Sequence, residues 1–110
     1  MIRNAIILSL MTIALIACSK KEDTGIRFDG QSFSSKSKKL GDDLADFNVT
    51  VTPVSSSLEG ALAAGGYEGT KYCIKYFGTS VIKWTVGPKS EPGDLRIVDD
   101  TLTLQGRCDT

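Results

Sequence analysis

Between residues 57 and 77 small side chains recur every four positions: Ala61, Gly65, Gly69 and Cys73, with Phe77 closing the series. Leu58, Leu62 and Tyr76 flank that stripe. A four-residue repeat lines up along one face of a helix. A face this small lets the backbone lie close to a sheet, with Cys73 aimed at it. Ser55-Ser56-Ser57 and Glu59 supply helix-start chemistry, Ser56 and Glu59 standing at capping-box spacing. Gly78 supplies a left-handed stop. Gly65, Gly66 and Gly69 each cost up to about 1 kcal/mol against Ala in a helix interior. A break near Gly65-Gly66 is therefore expected, with residues 67–77 the firmer half. Glu59, Glu68, Lys71 and Lys75 interrupt the stripe's surroundings and exclude a membrane-packing role for it.

On both sides of this segment the hydrophobic period falls to two. In residues 44–53, Phe47, Val49 and Val51 share one face and Asn48, Thr50 and Thr52 the other, and Pro53 ends the strand. In residues 79–86, Ile82, Trp84 and Val86 alternate with Val81, Lys83 and Thr85. The run GPKSEPGD over 87–94 is a loop. Residues 95–98 and 101–108 form a hairpin across Asp99-Asp100. Leu102, Leu104, Gly106 and Cys108 share the face that meets the helix carrying Cys73. Upstream, Asp29-Gly30 between apolar residues signals a tight turn. Residues 34–40, SSKSKKL, read as a solvated edge strand guarded by lysine; the alternative is a patch of Lys36, Lys38 and Lys39 for an anionic partner. The order β-β-α-β-β-β predicts a small α+β fold, a two-layer sandwich in which one helix packs on an antiparallel sheet.

The N-terminus says where such a domain is held. Arg3 and the amino terminus precede an uncharged apolar run over residues 5–17. Thirteen residues are too few to span a bilayer, which takes about 20, and the layout is that of a secretory signal. Leu15-Ile16-Ala17-Cys18 resembles the lipobox of bacterial lipoproteins. That resemblance implies cleavage before Cys18 and acylation of Cys18, so that the protein is anchored to the membrane by three acyl chains. Each methylene they bury contributes about 0.8 kcal/mol. Ser19 after the cysteine, where an Asp would retain the protein at the inner membrane, implies an outer-membrane location facing the periplasm. The organisation is then a signal peptide over 1–17, lipidated Cys18 and a tether over 18–25, and one domain over 26–110. The tether reaches at most roughly 25 Å if extended.

With Cys18 taken by lipid, Cys73 and Cys108 remain in a compartment that permits disulfides. The parity of the final strand supports their pairing independently. A bridge enclosing about 35 residues stabilises by roughly 3–4 kcal/mol in the chain-entropy model. Their spacing is not that of a Cys-X-X-Cys redox pair.

The chain has 13 Lys+Arg, 13 Asp+Glu and no His. Near neutrality without a basic stripe argues against nucleic acid. The lack of His removes the commonest general base and metal ligand. No phosphate-loop or dinucleotide pattern is present, and Asp42-Asp43 and Asp99-Asp100 fit turns better than acid/base pairs. The expectation is a protein that is not an enzyme and takes no cofactor and no metal.

The segment Gly66-Tyr67-Glu68-Gly69-Thr70-Lys71-Tyr72-Cys73-Ile74 resembles a group of small uncharacterised alphaproteobacterial lipoproteins. So do Phe77-Gly78-Thr79-Ser80, Trp84, Gly87-Pro88 and the closing Leu104-Gln105-Gly106-Arg107-Cys108. That resemblance implies a cell-envelope setting and brings no activity with it. Two functions remain: an interaction or accessory module for another envelope protein, and a small-ligand or enzyme-inhibitor module with Tyr67, Tyr72, Tyr76 and Trp84 around a pocket. Trp84 taken alone reads as a core residue.

Overall fold

The computed structural model describes residues 26–110; the signal segment, Cys18 and the tether lie outside the described residues. The elements follow as β1 (Ser34–Lys39), β2 (Asp46–Thr52), α1 (Leu58–Phe77), β3 (Ile82–Val86), β4 (Arg96–Val98) and β5 (Thr101–Cys108). The sheet is antiparallel in the order β1-β2-β5-β3, with β4 also on β5. This is the small α+β sandwich that the alternation of periods predicts.

β5 is the strand on which the sheet converges. On one side it pairs with β2, Val49 opposite Leu104 and Val51 opposite Leu102. Along the other side β3 and β4 share its length. Ile82 lies opposite Cys108 and Trp84 opposite Gly106, while Ile97 lies opposite Leu102 and Val98 opposite Thr101. The segment 87–95 is thus an excursion from an interrupted edge, and the ladder slips register between Trp84 and Val86 where it departs. Asp99 and Asp100 turn the β4–β5 hairpin with φ of 53° and 63°, the left-handed pair a two-residue turn needs. The Asp100 carboxylate accepts from the Ser55 N–H at 2.7 Å and the Ser55 hydroxyl at 2.8 Å. Its carbonyl accepts from the Val54 N–H at 3.0 Å. The hairpin tip is thereby tied to the chain leaving β2.

α1 lies across one face of the sheet, chiefly over β2 with β1 and β5 on either side. Phe47, Val49, Val51, Leu102, Leu104, Ala61 and Cys73 are fully buried between the layers. Cys73 and Cys108 form the expected disulfide, their Cα atoms 5.5 Å apart. On the other face Asn48, Thr50, Thr103 and Gln105 stay half-buried and polar, the arrangement of an antiparallel sheet with one solvated side.

Three details differ from expectation. The helix does not break at Gly65-Gly66; it is continuous over Leu58–Phe77. Its glycines are needed for closeness: a Cβ at Gly65 would sit 2.5 Å from Leu104 Cδ1, and one at Gly69 would sit 2.6 Å from Trp84 Cη2. Packing there offsets the poor intrinsic propensity. The N-cap is Ser57 rather than Ser56, because Val54–Ser56 winds a 3-10 turn that buries Val54. Ser57 Oγ accepts from the Gly60 N–H at 2.9 Å. Finally, Phe77 leaves the buried stripe and is 36% exposed. Each four-residue step overshoots a full turn by about 40°, so a stripe that starts at Ala61 has rotated off the sheet by Phe77. Gly78 ends the helix at φ 70°, as expected.

Gly69→Ala should therefore destabilise the protein although Ala is the better helix former. Overpacking against an indole that cannot retreat costs about 1–3 kcal/mol, against about 1 kcal/mol of propensity gained. Gly66→Ala meets Pro88 Cγ at 3.0 Å on the half-exposed loop and should be neutral or mildly stabilising. Urea denaturation of the two variants checks the contrast; equal midpoints would refute the close-packing account.

Candidate functional site

α1 sits over β2 and reaches β1 and β5 on either side, leaving hollows along its β1 flank. The inward positions of β1 are Ser35, opposite Val51, and Ser37, opposite Val49. Serines there do not fill the space to the helix as an isoleucine would. The result is two adjoining hollows along one flank of α1. The larger, of about 820 Å³, lies among Ile26, Phe28, Phe33, Ser35, Ala64 and Tyr67. The smaller, of about 530 Å³, lies among Ser37, Lys38, Lys39, Leu44, Lys75 and Tyr76. Glu68 and Lys71 border both, and there the Ser37 hydroxyl donates to Glu68 Oε2 at 3.4 Å.

The walls are set by local sequence. On the helix, Tyr67, Glu68, Lys71, Tyr72, Lys75 and Tyr76 fall at offsets of one, four, five, eight and nine from the first, which defines one flank. The N-terminal arm closes the wider end. Phe28 and Gln31 pair across Asp29-Gly30, with φ of 56° and 74° at the turn. The Ser57 hydroxyl donates to Asp29 Oδ2 at 2.6 Å, fastening this turn to the start of the helix. Phe28 then lies against Tyr67, ring centroids 5.7 Å apart.

The four aromatic residues expected around one pocket are divided. Tyr67 lines the larger hollow and is exposed, with Lys71 Nζ 5.4 Å from its ring centroid. Tyr72 and Tyr76 line the smaller one, and Lys75 Nζ stands 5.1 Å from the Tyr76 centroid. Tyr72 is itself buried: it stacks on Phe47 at 4.8 Å, and its hydroxyl donates to the Leu44 carbonyl at 2.7 Å. Trp84 stands on β3, beyond β5 and β2 from the groove, edge-on to Phe47 at 5.6 Å. Trp84, Phe47, Tyr72 and Tyr76 thus form a line of rings from the far side of the core to the groove. Tyr76 and Tyr67 are the exposed ones. Sequence reading missed Lys71, Lys75 and the arm residues Ile26, Phe28 and Phe33; the shared helical flank of Lys71 and Lys75 with the tyrosines was the available signal.

Charge in the groove is lopsided. Glu68 is matched by Lys71 at 3.3 Å. Lys38, Lys39 and Lys75 have no carboxylate within ion-pair distance among the described residues. At the neighbouring end of the sheet, Arg107 donates to Asp43 at 2.9 Å and to Asp46 at 3.0 Å. The Ala45 N–H, and after it Arg107, hold the Asp43 carboxyl below its usual range. Burial, chiefly, pushes the Tyr72 hydroxyl above its usual value. Among the described residues no group of three or more His, Cys, Asp or Glu is placed to hold a metal ion. The groove offers aromatic surface, cationic side chains and a strand edge unpaired among the described residues, which are means of recognition.

Comparison of the chain with protein-family models, with curated proteins and with solved structures gives no match in any of the three.

Tyr72→Phe should cost about 1 kcal/mol near neutral pH, from loss of the bond to the Leu44 carbonyl. Because the native pKa is raised, the hydroxyl's contribution is complete below the unfolded value of about 10 and fades as pH climbs through the native one. The gap between wild type and variant should therefore narrow above about pH 10. Denaturant midpoints at pH 8 to 11 test this; a gap that stays constant would refute the raised hydroxyl pKa as the cause of the pH dependence.

Proposed function

We propose that this is a lipid-anchored cell-envelope protein whose domain serves as a non-enzymatic interaction or accessory module, working through the groove between α1 and β1. The observation that carries the proposal is the groove itself: open, flanked by exposed Tyr67 and Tyr76, rich in unmatched lysine and bordered by a sheet edge. Exposed aromatic residues beside cations are the common anchors of protein recognition. The lipobox resemblance of residues 15–18, with Ser19 after it, supports an anchor at Cys18 and a site on the outer membrane facing the periplasm. The resemblance of the segments between 66 and 108 to small envelope lipoproteins supports the same setting. Ile26 lines the larger hollow, so a tether over 18–25 would keep the groove within roughly 25 Å of its anchor.

A second reading has one observation in its favour. The larger hollow, at about 820 Å³, is within the roughly 300–1,000 Å³ typical of small-ligand sites. A periplasmic ligand or enzyme-inhibitor role would use the Phe28 and Tyr67 end.

The test is intact mass of the membrane-extracted protein, followed by photo-crosslinking in cells. Residues 18–110 plus three acyl chains are expected. A photoreactive residue in place of Tyr76 should crosslink an envelope protein above background, and one in place of Thr103, on the solvated face, should not. An unlipidated chain would overturn the anchor. Equal background at both positions would overturn the interaction module.

A further inference from the structure

Resting on that reading, we infer that the groove binds an extended segment of a partner protein, which joins the sheet beside β1 and presents an apolar side chain to the larger hollow and an acidic one to the smaller. Three features of the structure converge on this occupant.

β1 is the terminal strand of the sheet. All six of its residues pair with β2 on one side, and among the described residues no strand lies on the other. A strand with one open side offers a row of backbone donors and acceptors, which is the basis of recognition by strand addition. A globule or a small anion would leave that row unused.

The two hollows are spaced for a strand. The larger is reached beside Phe33, Ser34 and Ser35, the smaller beside Ser37, Lys38 and Lys39. Alternate residues of a strand point the same way, about 6.6–6.8 Å apart. Side chains two or four positions apart on an added strand would therefore enter the two hollows, passing either side of the Ser37–Glu68 bond.

The hollows differ in chemistry. Phe28, Phe33, Ala64 and Tyr67 make the first apolar and aromatic. In the second, four lysines face one carboxylate, Glu68, and Lys71 already occupies it. Lys39 and Lys75 have no carboxylate partner among the described residues. That imbalance selects a carboxylate on the partner, and the lysines repel a basic one.

The test uses the full lipidated protein in detergent and a labelled seven-residue peptide of alternating threonines, with phenylalanine at its second position and glutamate at its fourth and sixth. Fluorescence polarisation should show saturable binding, at least ten-fold weaker when both glutamates are lysines. N-methylation of alternate backbone nitrogens should abolish binding, because it removes the donors a strand needs. Lys39→Glu with Lys75→Glu, both at exposed positions, should also weaken it ten-fold with an unchanged circular dichroism spectrum. Equal binding of glutamate and lysine peptides would overturn the charge selection. Equal binding of the N-methylated peptide would overturn strand addition. If no peptide binds while Tyr76 still crosslinks an envelope protein, the strand inference fails and the interaction module stands. Concentration-dependent self-association that the double charge reversal abolishes would make the occupant a second copy and overturn the partner segment.

Discussion

The indole of Trp84 occupies a socket made by three glycines, and the spacing of the two layers depends on it. A Cβ at Gly87 would come within 2.5 Å of Trp84 Cγ, at Gly69 within 2.6 Å of Cη2, and at Gly106 within 2.9 Å of Cε3. These glycines come from the helix, from the start of the 87–95 loop and from the central strand, so one side chain sets the mutual approach of three segments. With the helix held that close, Cys73 meets Cys108 and the Phe47 ring is caught between Trp84 and Tyr72. Interiors pack at crystal-like density and respond to single methylenes. Three positions without a side chain are thus as much part of the core as the leucines.

Closeness in the middle produces openness at the side. A helix brought close to the sheet by Gly65 and Gly69 has to be matched at β1 by large inward side chains if that flank is to be closed, and β1 has Ser35 and Ser37 there. The groove is therefore a consequence of two local facts, glycines under the helix and serines on the edge strand. Its wider end depends on a third, the Asp29–Ser57 hydrogen bond that holds the N-terminal arm. The tyrosine flank is firm because Tyr76 leans on Tyr72, at 4.8 Å, and Tyr72 on buried Phe47. A recognition surface backed this way loses little side-chain freedom on binding, which lowers the cost of association.

Much of the fold was legible in the chain because its causes are local. The alternation of Phe47, Val49 and Val51 marks a half-buried strand, and that of Leu102, Leu104 and Cys108 marks another. The shared face of Cys108 and the small-residue stripe then predicts the bridge. The continuity of the helix was not legible, since helix propensity prices Gly65 and Gly66 without the neighbours that reward them. Nor was the cap at Ser57, which turns on the burial of Val54 one turn earlier. The site was the least legible part. Tyr67, Tyr72, Tyr76 and Trp84 are close in sequence, yet the strand order β1-β2-β5-β3 puts Trp84 at the edge opposite the groove. Ile26, Phe28 and Phe33 reach the groove through a turn and a long-range hydrogen bond that no spacing reveals.

The two sheet edges also differ in how readily each would template pairing with a second copy. At the far edge the strand is interrupted: β3 is short and slips register, β4 has three residues, and the loop between them folds back with Pro88 near the helix at Gly66. An interrupted edge is a poor template. β1 is unbroken over six residues, but all six are serines or lysines, and the lysines resist pairing with a like edge. Lys36, Lys38 and Lys39 on one copy would face the same lysines on another, and like charges across strands are destabilising. The same lysines that oppose self-pairing favour a carboxylate-bearing strand. Specificity against the wrong partner and affinity for the proposed one then arise from one set of side chains, which is how discrimination is obtained on so small a surface.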